Sequence, residues 1–324
     1  MPIPDGQHAL GSFADGERAF PGLVLPGERV LDLSGRYPST RAIFEDWEAA
    51  STALAELASS SQESRPLEVL RVLPPAEPRQ ILQSGANYHR HVVELVLDQG
   101  LDREPGMTDE EHRAAVTQMM DERVRSGEPY VFLGAVTALC GPYDEVILPE
   151  RGERHDWELE LAAVIAPGGR HIPLDRALEH VAGYTIANDV TTRDLVHRPD
   201  LKGIGSDWTR SKNAPTFLPT GPWVVPAGFV DDPMDLRIRL SLNGDVMQDE
   251  STADMIFDVA RLVSYASSLV ELLPGDLLLT GSPAGNGTHY NRFLREGDVL
   301  EGEITGLGAQ RNVCRSEVPA PVNA

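Results

Sequence analysis

The stretch His155-Asp156-Trp157-Glu158-Leu159-Glu160-Leu161, continuing as Ala162-Ala163-Val164-Ile165, decides how the rest of the chain is read. Acidic and apolar residues alternate, and then the polarity stops. Successive side chains of a β-strand point to opposite faces. Glu158 and Glu160 therefore share one face, and Trp157, Leu159 and Leu161 share the other. A strand that enters an apolar core with two neighbouring carboxylates must offset their repulsion and their lost hydration. A divalent cation does both, so the segment reads as half of a metal site.

Asp189 is the candidate third ligand. It follows the strand-like Tyr184-Thr185-Ile186-Ala187-Asn188 and precedes Val190-Thr191-Thr192-Arg193-Asp194. Three carboxylates with further coordination positions open suit Mg²⁺ or Mn²⁺. No His or Cys stands at ligand spacing, which argues against zinc. The same pattern also fits an exposed strand edge, with Asp189 as a turn residue.

Outward from this centre the signals are mostly strands and turns. Val146-Ile147-Leu148, Trp223-Val224-Val225 and Leu236 to Leu242 read as strands, with a hairpin turn at Asn243-Gly244. A helix is expected from Thr252 to Leu272, stopped by Pro274-Gly275. Leu277-Leu278-Leu279-Thr280 is a short buried strand running into Gly281-Ser282-Pro283-Ala284-Gly285. Upstream, Asn87 caps a helix reaching about Leu97, which sets His91 and Glu94 one turn apart. The polar segment 98–128 contains Thr108-Asp109-Glu110-Glu111, a capping box for a helix ending near Gly127. It fits either a lid or a solvated connection. The first unit carries a helix after Ser39 or Thr40, with Ile43, Trp47, Leu54 and Leu57 on one stripe. Pro74-Pro75-Ala76-Glu77-Pro78 divides a small N-terminal domain, 1–75, from a larger one, 76–324. Strands and helices out of βαβ order argue against a doubly wound sheet and for an α+β fold.

Composition sets the outer limits. The 324 residues are 41% hydrophobic and 24% charged, which describes a globular chain with a sizeable core. Fifty acidic against 28 basic residues give a formal charge of −22, which disfavours nucleic acid and anionic membranes as partners. Cys140 and Cys314 match no metal or redox spacing and read as ordinary thiols. With no apolar run of membrane length and no signal-like N-terminus, a cytoplasmic location is expected.

Three further groups fit a catalytic site. His91 with Glu94 suits a general base and its orienting carboxylate, or equally a charge pair on a surface helix. Lys212, in Arg210-Ser211-Lys212-Asn213, could balance developing negative charge, or could be a surface lysine. Thr280 and the turn after it could hold a substrate carboxylate, or form a simple turn.

Taken in order, these segments resemble the fumarylacetoacetate hydrolase family, whose members include acylpyruvate-hydrolase-like and 2-keto-4-pentenoate hydratase-isomerase-like enzymes. The resemblance runs from about Gln80 to Val318. It rests on Gly85-Ala86-Asn87-Tyr88 with His91 and Glu94, Trp157 to Leu161, Val181-Ala182-Gly183-Tyr184 through Asn188-Asp189 and Arg193-Asp194, Ser211-Lys212, and Gly221-Pro222-Trp223. Asn243-Gly244 with Gln248, Leu273-Pro274-Gly275-Asp276 and Thr280 to Gly285 complete it. It implies a mixed β-sandwich roll, a homodimer, and Mg²⁺ or Mn²⁺ held by Glu158, Glu160 and Asp189. It also implies a water-activating dyad of His91 and Glu94, an oxyanion-side Lys212, and an Arg193 that in some members reaches the substrate.

The implied reaction is hydrolysis of a C–C bond in an acylpyruvate-type 2,4-diketo acid through a metal-stabilised enolate. The alternatives are decarboxylation of an oxaloacetate-like β-keto acid, isomerisation of a hydroxymuconate-type diacid, or a non-catalytic protein that keeps the fold. Four positions depart from the family pattern. Gly134 follows Phe132-Leu133 where a lysine is common, Val196 stands for Gln, Pro215 for Asp and Ser282 for Thr. The absent lysine leaves the acidic site more negative.

Overall fold

A computed structural model of the chain describes residues 3–60, 63–98, 103–201, 203 and 205–318. Three larger sheets organise it. The N-terminal sheet is antiparallel, in the order Arg65–Pro66, Arg29–Asp32, Arg18–Leu25, Ala9–Asp15, Arg71–Leu73. A central mixed sheet runs Val225–Pro226, Val181–Asn188, Leu159–Ile165, Leu277–Leu279, Ile81–Gly85, Tyr130–Gly134. The third runs Asp245–Ser251, Arg237–Leu242, Val299–Ile304, Gly308–Ser316, Val146–Leu148. Each of the last two contains one parallel pair, Leu277–Leu279 with Ile81–Gly85 and Gly308–Ser316 with Val146–Leu148. The architecture is the expected α+β roll.

The alternation read from the sequence becomes the two faces of the central sheet. Leu159, Leu161, Ala163 and Ile165 pack with Ile238, Leu240, Leu300 and Ile304 of the third sheet. The two sheets approach closely at Gly302, where an added Cβ would lie 2.6 Å from Leu159 Cδ1. On the opposite face Ala162, Val164, Leu277 and Leu279 pack against Leu23, Ile43, Phe44 and Leu54 of the N-terminal unit. That unit also joins the body through backbone hydrogen bonds between Leu10 and Val224. It therefore covers the apolar part of the face that Glu158 and Glu160 continue.

Local signals are met where the sequence is strong. Thr108 forms a full capping box with Glu111 at the start of the helix Asp109–Ser126, which packs on the helix His89–Asp98. Residues 99–102 of the polar segment lie outside the described residues. The N-terminal helix divides at Asp46 into Thr40–Glu45 and Trp47–Ala58, burying Ile43, Leu54 and Leu57. The helix expected from Thr252 is shorter. A single turn, Thr252–Asp254, gives way to extended chain, and the helix proper is Val259–Leu269, capped by Asp258. Asn87 is the cause: its carbonyl accepts from Ile256 N at 2.8 Å and its Oδ1 from Phe257 N at 2.9 Å. A backbone held in that way cannot close helical hydrogen bonds.

Candidate active site

The acids meet where two antiparallel strands end. Leu159–Ile165 pairs with Val181–Asn188, and Leu159 lies opposite Asn188, so Glu158 and Asp189 leave the sheet side by side. Asp189 N donates to Glu158 O at 2.8 Å, and Asn188 Oδ1 accepts from Glu158 N at 2.9 Å. Glu158, Glu160 and Asp189 are all buried, and one carboxylate oxygen from each lies within 4.8 Å of the others. The exposed strand edge is thereby excluded.

Around them the polar partners are unevenly shared. Arg193 donates to Glu158 Oε1 at 2.5 Å and to Asp156 Oδ2 at 2.7 Å. Lys212, only 4% exposed, donates from Nζ to Glu158 Oε2 at 2.6 Å, Asp189 Oδ2 at 2.5 Å and Thr191 Oγ1 at 2.7 Å. Glu160, 1% exposed, accepts from the backbone N–H of Gly281 at 2.7 Å. Lys212 is thus no surface lysine. Its short helix, Trp208–Lys212, is fixed by stacking of Trp208 on Phe132 and by a Trp208 Nε1 bond to Tyr130 Oη at 2.7 Å.

These differences separate the carboxyls electrostatically. Burial opposes ionisation of Glu158, but Arg193 and then Lys212 outweigh it and hold the pKa at about 2. Burial dominates at Glu160, and the charges of Asp189 and Glu158 add to it, so its pKa rises well above the ordinary carboxylate value. Burial likewise lifts Asp189 to about 6, although Lys212 pulls against it.

His91 and Glu94 lie on the helix His89–Asp98. The half-buried imidazole has its pKa lowered by burial, with Glu158 opposing and Arg193 reinforcing the shift. Glu94 Oε1 accepts from Arg90 Nε at 2.9 Å, and its Oε2 lies 3.7 Å from His289 Nδ1. Its charge raises the His91 pKa, so the two groups interact through space. Thr280 is fully buried and its hydroxyl donates to Leu161 O at 2.9 Å. From that turn it is Gly281 whose N–H reaches the acids.

Sequence reasoning passed over two residues. Asp156 is fully buried and accepts from Arg193, from Gly287 N at 2.5 Å and from Thr288 Oγ1 at 3.0 Å. Its place in the acidic alternation was the available signal. Gln83 donates from Nε2 to Asp189 Oδ1 at 2.7 Å, and nothing in its local sequence announces this.

The sequence profile of the fumarylacetoacetate hydrolase C-terminal domain matches residues 80–315. The chain belongs to the fumarylacetoacetate hydrolase family. Within it, the chain is 36% identical over 297 residues to a 2,4-didehydro-3-deoxy-L-rhamnonate hydrolase of Sphingomonas sp., a match covering 90% of each chain. It is 33% identical over 293 residues to a mitochondrial oxaloacetate tautomerase of Xenopus laevis, covering 88% of this chain and 82% of that one. A crystal structure of 5-carboxymethyl-2-hydroxymuconate delta-isomerase from Mycobacterium smegmatis superposes with a TM-score of 0.70 at 27% identity, covering 96% of this chain and all of that one. Fumarylacetoacetate hydrolase relatives thus include hydrolases, tautomerases and isomerases. Among the described residues no helix is long and apolar enough to cross a membrane.

Proposed function

We propose that the protein is a divalent-metal-dependent hydrolase that cleaves a C–C bond in an acylpyruvate-type 2,4-diketo acid. The charge balance of the cluster carries this reading. Asp156, Glu158, Glu160 and Asp189 are four buried carboxylates, and among the described residues the cations bonded to them are Arg193 and Lys212. Fully ionised, the group carries two uncompensated negative charges. Buried charge of that kind is tolerated only when paired or coordinated. A doubly charged ion fits the excess, and three oxygen donors fit Mg²⁺ or Mn²⁺.

Glu158, Glu160 and Asp189 would hold the ion, which supplies Lewis-acid charge at the substrate's keto oxygens. His91 is the base: its lowered pKa keeps the imidazole neutral and able to take a proton from water. The nearby charge of Glu94 favours the imidazolium that forms. Lys212 balances negative charge as the C–C bond breaks and a pyruvate-type enolate departs. Arg193 bounds the substrate side at Glu158, and the Thr280–Gly281 turn bounds it at Glu160. The relative named as a 2,4-didehydro-3-deoxy-L-rhamnonate hydrolase, aligned over 90% of this chain, supports a hydrolytic reading. A cytoplasmic homodimer completes the proposal.

A second reading uses the same acids for enolisation without water attack, as in decarboxylation or tautomerisation of oxaloacetate or isomerisation of a hydroxymuconate-type diacid. Arg90 donates to Glu94, and no carboxylate among the described residues accepts a hydrogen bond from His91, which favours it. Incubation with Mg²⁺ and either acetylpyruvate or oxaloacetate, followed by product analysis, separates the two. Acetate and pyruvate from acetylpyruvate are expected, with a loss of at least about 10²-fold in His91→Ala. Turnover of oxaloacetate alone, or full hydrolysis by His91→Ala, would overturn the hydrolytic assignment.

A further inference from the structure

We infer that Gln83 and Gly134 form a matched pair that positions Asp189 for the metal, an inference that rests on the metal-site reading above. Gln83 sits on Ile81–Gly85, and Tyr130–Gly134 is its antiparallel neighbour at the sheet edge. Gln83 lies opposite Phe132, so Gly134 is two residues along on the same face. The carboxamide leans over that glycine. A Cβ built at Gly134 would come within 2.8 Å of Gln83 Oε1 and 3.0 Å of its Cδ. Any side chain there must displace the amide. Gly134 is thus the condition under which a glutamine at 83 can reach Asp189.

The amide is held from one end. Nε2 donates to Asp189 Oδ1 at 2.7 Å, while Oε1 is buried and meets no hydrogen-bond donor among the described residues. Gln83 itself is 2% exposed. The reversed amide would set Oε1 against the Asp189 carboxylate, so the Asp189 bond fixes the orientation. A buried acceptor left unpaired is unfavourable. Its retention marks the amide as held for what Nε2 does. With Lys212 on Oδ2 and Gln83 on Oδ1, both Asp189 oxygens are directed. The donor on Oδ1 is neutral, in the place where a lysine at position 134 would bring a positive charge. The donor thus adds no positive charge to oppose a dication, and Asp189 is still oriented. Supporting hydrogen bonds of this type typically change metal affinity by about 10- to 100-fold.

The test uses Mn²⁺ alone, without substrate, titrated into the full-length protein by calorimetry and followed by electron paramagnetic resonance. Gln83→Met removes the donor at nearly constant volume, and Gly134→Ala pushes the amide aside from the other strand. Each is expected to weaken Mn²⁺ binding about tenfold and to alter the zero-field splitting of the bound ion, a signature that general destabilisation would not produce. In a Gln83→Ala background, Gly134→Ala should add nothing, and Gly134→Lys should weaken binding further by adding a charge. Unchanged affinity and spectra in Gln83→Met and Gly134→Ala, with the wild type binding Mn²⁺, would overturn this inference alone. Failure of the wild type to bind Mn²⁺ would overturn the metal-site reading beneath it.

Discussion

Glu158 and Glu160 share a strand and a face, yet their carboxyls are driven in opposite directions. Arg193 and Lys212 hold Glu158 ionised, whereas Glu160 has the Gly281 N–H and two acidic neighbours. Burial takes Asp189 to about 6. A folded-state pKa above the unfolded value means that the carboxyl keeps its proton on folding. Its contribution to stability is complete below the unfolded pKa and is lost as pH rises through the folded value, about 6 for Asp189 and well above the ordinary carboxylate value for Glu160. A cation competes with those protons. Mn²⁺ affinity should therefore rise between pH 5 and 7.5, with protons released on binding. Calorimetry in two buffers of different ionisation enthalpy measures that release. Affinity flat across this range, with no protons released, would contradict the assignment.

At the scale of elements, the turn after Leu277–Leu279 locks the acid-bearing strand. Gly285 O accepts from Trp157 Nε1 at 3.0 Å, and Gln248 Nε2 donates to Pro283 O at 2.9 Å. Gly285 has φ +97°, and a Cβ there would stand 2.0 Å from the Met247 carbonyl oxygen. Gly285→Ala should cost at least about 2 kcal/mol, a mechanism of strain plus backbone collision that ranks among the severe ones. Urea unfolding checks it, and a midpoint equal to that of the wild type would refute it. The sequence made such turns legible because glycine and proline act locally. It also made the acid strand legible, since a period of two survives in any context, and the Thr108 cap, which is a four-residue affair. It did not show the early end of the helix expected from Thr252, because Asn87 captures Ile256 and Phe257 from a distant part of the chain. Gln83 was hidden for the same reason: its role exists only once Gly134 and Asp189 are brought beside it.

At the scale of the molecule, the two faces of the central sheet divide the labour. One is sealed against the third sheet, and the other is covered by the N-terminal unit except where the acids emerge. Where the acids emerge, Lys212, Gln83 and the Gly281 turn close over Glu160 and Asp189, and burial there raises their pKa values, so a cation would take the place of the protons they hold. A net charge of −22 adds a surrounding field that favours the approach of cations. The central claim is that this buried excess is a dication site. Equilibrium titration of the purified protein with Mn²⁺ tests it most directly, alongside Glu160→Gln and Asp189→Asn. Saturable binding of one ion per chain is expected in the wild type, and at least about a hundredfold weaker binding in each variant. Absence of saturable binding, or equal affinity in all three proteins, would contradict it.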